Sequence, residues 1–386
     1  MTSAGDGTIL VSAGEVSGDH YAARLCQELR ARGVERVCGL CGAEGASAGA
    51  EALWSGKRLQ LLGITEVLGS IADIWHLLGE MSAFVLDTKP RALVFVDSPD
   101  FHLPLIRRLR RRGYGGKIFY VSPPSVWAWR SYRVKDLLRH VDECLPLFRF
   151  EHEFLKKAGV NSFWTGHPLA EDLEDFKADT KSVTGGISRG LTAPDPDRIV
   201  ALLPGSRRSE IEQLWPVLAP LSDALESRGF SPVFSVAPGL SERAKNFLMK
   251  NLADSGKNYY EGAGRELMAI SKAVAGSSGT ATAEALLLRR FMVVMYRMKP
   301  LSAFIGRLLL SHLYFAIPNL LAGEMFYPEL IQERATPEAA LEELSAWLGM
   351  NPSGRKAKEA RMAELAALMG GRGAYAFWAD RIMGAM

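Results

Sequence analysis

Cysteine is scarce in this chain of 386 residues: only Cys26, Cys38, Cys41 and Cys144 are present. So few thiols exclude a disulfide framework as the source of stability and fit reduced side chains in a cytosolic protein. Cys38-Gly39-Leu40-Cys41 has metal-like spacing, but no second cysteine pair and no nearby histidine pair accompany it, so no zinc site is expected. Long apolar runs are lacking as well. Nothing reaches the length needed to span a bilayer, the first basic residue is Arg24, and Ile9-Leu10-Val11 is too short for a signal core, so the sequence reads as a cytoplasmic protein. A large charge excess is also missing. Lys and Arg number 46 against 43 Asp and Glu, leaving a net +3. The local exception is Arg107, Arg108, Arg110, Arg111 and Arg112, a cluster that suits an anionic surface, nucleic acid or phospholipid, or else a solvated helix end.

What is present is an ordinary globular composition, 48% apolar and 23% charged, over a length that suggests two domains. In the first half, Thr8 to Ala13 reads as a strand and Ala22, Leu25, Cys26 and Leu29 recur at helical spacing until Gly33. The turn between them, GEVSGD, puts Glu15, Ser17 and Asp19 at the carboxyl end of the strand, where open α/β sheets bind ligands; it lacks the GxGxxG spacing of a dinucleotide fingerprint. Arg36 to Leu40 reads as a second strand. From Leu61 to Leu86 an apolar turn leads into a helix patterned by Ile71, Ile74, Trp75, Leu78, Met81 and Val85, which packs on a sheet or dips into a membrane surface. Arg91 to Val96 is a continuous apolar strand of the kind buried on both faces. The turn after it carries Asp97, a candidate general base, and Asp100, a candidate helix cap. Lys117 to Val121 is another strand, and its exit loop holds Trp127 and Trp129, a wall for a sugar or acyl group or an interdomain packing surface. Glu143 to Leu147 and Phe163 to Gly166 read as the last strands of this half, and the polar stretch from Leu169 to Asp197 as the boundary.

The second half turns on Asp197 to Gln213. Arg198 to Leu203 is a strand, Pro204-Gly205 a tight turn and Ser209 a helix start, so backbone amides and the helix dipole converge on a turn that also carries Ser206, Arg207 and Arg208. A diphosphate is the natural guest. Pro232 to Val236 and Lys272 to Gly276 read as further strands. The second is followed by SSGTATAE, a second anion-holding turn in which Ser278, Gly279 and Thr280 let a phosphate approach the backbone and Glu284 can accept from ribose hydroxyls. Phe291 to Tyr296 is a buried strand, Leu301 to Leu313 an apolar helix, Ile317 to Glu324 a loop, and Glu338 to Leu348 a helix before a charged tail.

Taken together, GEVSGD (14–19), DSPDF (97–101), WAWR (127–130), LPGSR (203–207), SSGTATAE (277–284), YRMKP (296–300) and IPNLLAG (317–323) resemble, in order and over nearly the whole chain, the blocks of the lipid-A-disaccharide synthase family. The resemblance implies an α/β fold of two Rossmann-like domains, GT-B type, with the site in the cleft between them: residues 1–175 facing acceptor and membrane, 190–350 binding the UDP-sugar, and C-terminal helices over 351–386 packing back across. It implies an inverting transfer from UDP-2,3-diacylglucosamine to 2,3-diacylglucosamine 1-phosphate, giving a β-1,6 disaccharide and UDP. Inversion needs one base and positive donors for the departing diphosphate; Asp97 fits the first, Arg207 and the Ser278-Gly279-Thr280 turn the second, while Asn319 joins the catalytic set through the resemblance alone. No metal or other cofactor is expected. Acylated substrates imply a peripheral position on the inner face of the cytoplasmic membrane, with Leu61 to Leu78 and Arg107 to Arg112 as the contact, no nucleic acid partner, and homodimerisation left open. Two departures stand out: Pro123-Pro124 makes its loop one residue longer, and His20-Tyr21 replaces a small or apolar pair. The alternatives are a hexosamine epimerase of the same fold and a sugar-nucleotide binder without turnover.

Overall fold

The computed structural model describes residues 7–60, 67–188, 194–297 and 314–386. The chain divides into two compact units, one made of Met1–Glu171 together with Met369–Met386, the other of Asp172–Leu368. The first holds a six-stranded sheet built from β1 (Ile9–Ala13), β2 (Val37–Cys41), β3 (Glu51–Ser55), β4 (Ala92–Val96), β5 (Lys117–Val121) and β6 (Glu143–Leu145), in the spatial order β3-β2-β1-β4-β5-β6. Every pairing in it is parallel. A parallel sheet must be covered on both faces, and β1, β2 and β4 accordingly are buried at every residue, with Ser12 the one hydroxyl among them.

The second unit repeats the plan. Its strands are β7 (Ile187–Ser188), β8 (Ile199–Leu203), β9 (Ser231–Val236), β10 (Tyr259–Glu261), β11 (Ala273–Ser277), β12 (Met292–Tyr296) and β13 (Glu329–Ile331), ordered β13-β12-β11-β8-β9-β10-β7. All pair in parallel except the short edge strand β7. In the first sheet the chain begins in the middle, builds one side, then returns to build the other; in the second it does the same from β8, after the edge strand β7. Order therefore reverses between β1 and β4 in the first sheet and between β8 and β11 in the second, and the loops leaving those strands diverge.

Several expectations need correction. Residues 176–188 do not form a free linker: the helix Thr180–Gly185 and β7 belong to the second unit, where β7 pairs with β10. The segment 351–386 is likewise split. The helix Pro352–Ala367 stays with the second unit, whereas Ala374–Gly384 packs on the helix Val16–Ala31 of the first. Tyr375 and Trp378 are buried there, Arg32 Nε donates to Asp380 at 2.7 Å, and Arg381 grips the buried Glu143 with two bonds while lying 3.6 Å over Phe163. Phe163 to Gly166 is no strand; Ser162 and Gly166 make single bridges, to Cys144 and Gly370. Ile317–Ala322 is helical rather than a loop. Trp75 sits 63% exposed, off the buried stripe of Leu77, Leu78, Met81 and Val85 in the helix Val67–Thr88. The expected apolar turn at Leu61 to Ile64 and the whole of the expected helix Leu301 to Leu313 lie outside the described residues.

The pairing of β8 with β11 has little room to spare. Gly276 lies against Leu203, and a Cβ on it would fall 2.6 Å from the Leu203 side chain and closer still to its carbonyl oxygen. Gly276→Ala should cost about 1–3 kcal/mol of stability through forced strand separation. Gly185→Ala, where a Cβ meets nothing within 4 Å, should be neutral or slightly stabilising. Thermal unfolding of both variants checks this; equal midpoints would contradict the tight β8–β11 approach.

Candidate functional site

At the β1/β4 reversal the first and second sequence motifs meet. Gly14 and Gly18 open the GEVSGD turn onto the DSPDF turn: a Cβ on Gly14 would strike Ser98 Oγ, and one on Gly18 would stand 3.8 Å from Asp97 Cβ. Asp97 and Ser98 are consecutive non-glycine residues in the left-handed region, φ 54° and 47°, and Ser122 at the β5 exit follows suit at 51°. Such backbone persists only where surroundings hold it. Here the Asp97 amide donates to Val121 O at 3.0 Å, and its carbonyl accepts from His102 Nδ1 at 2.6 Å and from the Tyr120 hydroxyl at 2.9 Å.

The residues around this turn divide into those that face outward and those that build it. Glu15 is exposed and Ser17 half-buried at the start of the helix Val16–Ala31. Asp19, expected to meet substrate, is buried; its carboxylate accepts from the amides of Gly42, Glu44 and Gly45 at 2.6, 3.0 and 3.3 Å and so anchors the β2 exit instead. His20 pairs with Glu44 at 2.7 Å, and Tyr21 is buried edge-on to Trp378 and His167, which accounts for the unusual His-Tyr pair. Asp100 does not cap the helix Pro99–Arg111. Its carboxylate binds Arg130, at 2.7 Å, and Arg133, tying DSPDF to WAWR.

Trp127 is held rather than loose. Its Nε1–H donates to Glu151 Oε1 at 2.9 Å and its ring meets Phe150 edge-on at 4.9 Å. Glu151, which nothing in the sequence reading singled out, is buried, and that burial pushes its carboxyl up to about 7 from 4.5; the charge of Asp97 adds to the rise, while the bonds from Trp127 and the Phe148 and Leu147 backbone oppose it. The arginine cluster is only partly available to a surface. Arg110 donates to the carbonyls of His140, Tyr114 and Gly116 and to Asp142, and Arg107 pairs with Asp136 at 3.7 Å, leaving Arg111 and Arg112 as its exposed members.

In the second unit the two glycine-containing turns stand side by side, because Leu203 and Gly276 are register partners. They differ in what they present. At the first, the carboxylate of Glu210 accepts from the amides of Ser206 and Arg207 at 2.9 and 3.3 Å, so those donors are already satisfied; Gly205, at φ 115°, allows the close approach. What remains outward is the Ser206 and Arg207 side chains, Arg207 being 60% exposed and 3.8 Å from Glu210. At the second, Gly279 occupies the N-cap of the helix Thr280–Leu287 and no side chain caps it. Gly279 and Thr280 are exposed, Ser278 and Glu284 half-buried, and Ser278 Oγ donates to Phe315 O at 3.4 Å. Asn319, expected in the catalytic set, is fully buried, its amide donating to Tyr327 O and Glu329 Oε1, both at 2.8 Å, while its oxygen accepts from the amides of Phe326 and Tyr327. Glu329 in turn accepts from the amides of Phe315 and Ala316, so this pair shapes the segment beside the second turn. Among the described residues, no group of three or more His, Cys, Asp or Glu side chains could hold a metal ion.

Comparison with known proteins decides what these turns belong to. A family model described as lipid-A-disaccharide synthetase matches residues 9–371. The chain belongs to this family. The lipid-A-disaccharide synthase of Azotobacter vinelandii is 37% identical over 341 residues, 87% of this chain and 88% of that protein, and that of Myxococcus xanthus is 35% identical over 382 residues, 97% and 96% of the two chains. It is therefore a glycosyltransferase. Solved structures similar in fold include a UDP-GlcNAc 2-epimerase from Neisseria meningitidis bound to UDP-GlcNAc (TM-score 0.64, 13% identity, covering 98% of this chain and 100% of that one) and a glycosyltransferase from Rickettsia africae (TM-score 0.56, 10% identity, covering 100% of both). At such identities they speak to the fold alone, two Rossmann-like domains of the GT-B type.

Because the folded-state pKa of Glu151 lies above its ordinary value, its contribution favours the folded state below about 4.5 and is lost as pH rises through about 7. Glu151→Gln keeps an acceptor for Trp127 and removes the titration. The stability difference between wild type and Glu151→Gln should therefore move in the variant's favour between pH 5 and pH 8, by on the order of 1–3 kcal/mol. Denaturant unfolding at the two pH values checks it; a constant difference would mean that Glu151 does not titrate in that window.

Proposed function

We propose that the chain joins UDP-2,3-diacylglucosamine to 2,3-diacylglucosamine 1-phosphate with inversion, releasing UDP and forming the β-1,6 disaccharide 1-phosphate. The observation that carries this reading is the Asp97 turn, fixed in a strained conformation at the β1/β4 reversal of a chain in this family. In the reaction, the 6-hydroxyl oxygen of the acceptor attacks C1 of the donor sugar, Asp97 takes the hydroxyl proton, and the bond from C1 to the diphosphate oxygen breaks with its electron pair leaving on UDP. Charge grows on that diphosphate as the bond lengthens. We assign Arg207 and Ser206, with the Ser278-Gly279-Thr280 turn, to receive it and Glu284 to accept from the ribose hydroxyls; the exposed Arg207 side chain and the glycine N-cap support this. Positive charge from arginine and helix amides then serves where other transferases employ an ion, so no cofactor enters the proposal. Glu15, Ser17 and Trp127 are assigned to the acceptor side; Asp19 and Asn319 are assigned to the fold.

Both lipids partition to bilayers, and among the described residues no helix is long and apolar enough to cross one. We infer binding at an anionic membrane surface, with Arg111 and Arg112 adding attraction of about 1 kcal/mol each. The described residues do not include Leu61 and Leu62, the apolar part of that contact.

Incubating the protein with both lipids should yield UDP and disaccharide only when the acceptor is present. Conversion of the sugar nucleotide without acceptor would instead favour an epimerase. Asp97→Asn should lower turnover by about 10²–10⁴ while UDP affinity holds, and more than about a tenth of wild-type turnover would remove Asp97 as the base. Arg207→Ala should weaken UDP binding about ten-fold or more, as expected for loss of one charge-assisted contact, and an unchanged UDP affinity by calorimetry would return Arg207 to a structural role.

A further inference from the structure

The most heavily constrained backbone atom near the proposed base is the Asp97 carbonyl oxygen. Two side-chain donors from different elements converge on it, Nδ1 of His102 from the helix Pro99–Arg111 and the hydroxyl of Tyr120 from β5. His102 is fully buried among Phe95, Phe101 and Tyr120, whose ring centroids lie 5.0, 5.5 and 6.2 Å from its own. The proton placement follows from the partners. A carbonyl can only accept, so Nδ1 carries the hydrogen; Nε2 of a neutral ring then accepts, and the Ser12 hydroxyl, 2.9 Å away at the end of β1, is the donor. Burial supports the neutral form by pushing the imidazole down to about 4, against the opposing bond to Asp97 O. One ring thereby links the β1 exit to the β4 exit, across the reversal where Gly14 packs on Ser98.

We propose that His102 is a positioning residue for the transfer: through the Ser12–His102–Asp97 chain, with Tyr120 as second donor, it holds the left-handed backbone of Asp97 and so aims the Asp97 carboxylate at the acceptor hydroxyl. This rests on Asp97 being the base. Without the two donors, the left-handed turn at Asp97 and Ser98 keeps the Asp97 amide bond to Val121 O but loses both bonds to its carbonyl, and it relaxes toward ordinary backbone, carrying the carboxylate with it. A displacement of about 1 Å at a reacting group is enough to lower turnover about a hundred-fold. Substrate binding, which the rest of the site provides, should change far less.

Three variants separate this from a general role in packing. His102→Phe fills the space with no donor; His102→Asn restores an N–H at the position of Nδ1; Tyr120→Phe removes one hydroxyl and leaves the ring. Steady-state kinetics with both lipids, UDP affinity and thermal midpoints are measured for each, with Asp97→Asn alongside. The expected result is a fall in kcat of about ten-fold or more for His102→Phe, a smaller fall for Tyr120→Phe, substantial recovery in His102→Asn, and KM and UDP affinity within about two-fold of wild type throughout. If Asp97→Asn is inactive while His102→Phe, or, should that variant not fold, Tyr120→Phe, keeps wild-type kcat, the positioning role is overturned and the base assignment stands. Equal loss of kcat in His102→Phe and His102→Asn, or a loss matched by weaker UDP binding, also overturns it. If Asp97→Asn retains turnover, the base assignment itself fails, and the positioning role falls with it.

Discussion

Parallel strand pairing is the constraint from which the rest of this molecule follows. Strands that run the same way must be joined by crossovers, so their carboxyl ends gather on one edge of the sheet and the connecting helices cover both faces. Where strand order reverses, the two departing connections turn to opposite faces and leave a gap that neither fills. The chain meets this condition twice, between β1 and β4 and again between β8 and β11. The family motifs GEVSGD and DSPDF leave the first pair of strands, and LPGSR and SSGTATAE leave the second. Their placement at gaps that the sheets were bound to create is a consequence of topology.

A gap is useful only if its rim is stiff, and stiffness here comes from buried polar side chains that serve loops. Asp19 gathers three amides of the β2 exit, Asn319 and Glu329 bind the segment beside the second turn, Glu151 holds Trp127, and His102 with Tyr120 holds the Asp97 carbonyl. Burying such groups is costly unless each partner is found, and the partners in these cases are backbone groups, an indole or another buried side chain. Nearly every motif in the chain accordingly contains one residue that looks outward and one that looks inward. In GEVSGD these are Glu15 and Asp19; in DSPDF the turn faces out while His102, directly after it, faces in.

That pairing explains what could be read from sequence and what could not. Central strands were legible because burial on both faces leaves continuous runs such as Leu93 to Val96, whereas β3, β7, β10 and β13 are short or lie toward sheet edges, and Glu51 to Ser55 carries the mixed pattern of a strand with one wet side. Motif positions were legible because turn residues punctuate them. Orientation within a motif was not: Asp19 and Asn319 are polar residues in the first turns of helices, and only the fold reveals that their hydrogen-bonding capacity is used within the chain. Glu151 was hidden for a related reason, since a glutamate in the first turn of a helix reads as a cap, which it also is, donated to by the Phe148 amide at 3.3 Å.

The two anion-facing turns of the second unit make the same point energetically. In sequence they look equivalent, each a small-residue turn ahead of a helix. In the structure the first already holds an anion, its own Glu210, whose carboxylate sits on the Ser206 and Arg207 amides and gains from the helix dipole without leaving the chain. A diphosphate arriving there would have to displace a covalently tethered competitor to reach the same amides, and tethering gives that competitor a high effective concentration. The second turn has glycine at its cap and no such occupant. On the proposed reading, a phosphate group would gain more by lying against the amides at the glycine-capped helix start than by competing with Glu210. The helix of the first turn is stabilised by its own carboxylate, whereas no side chain caps the second.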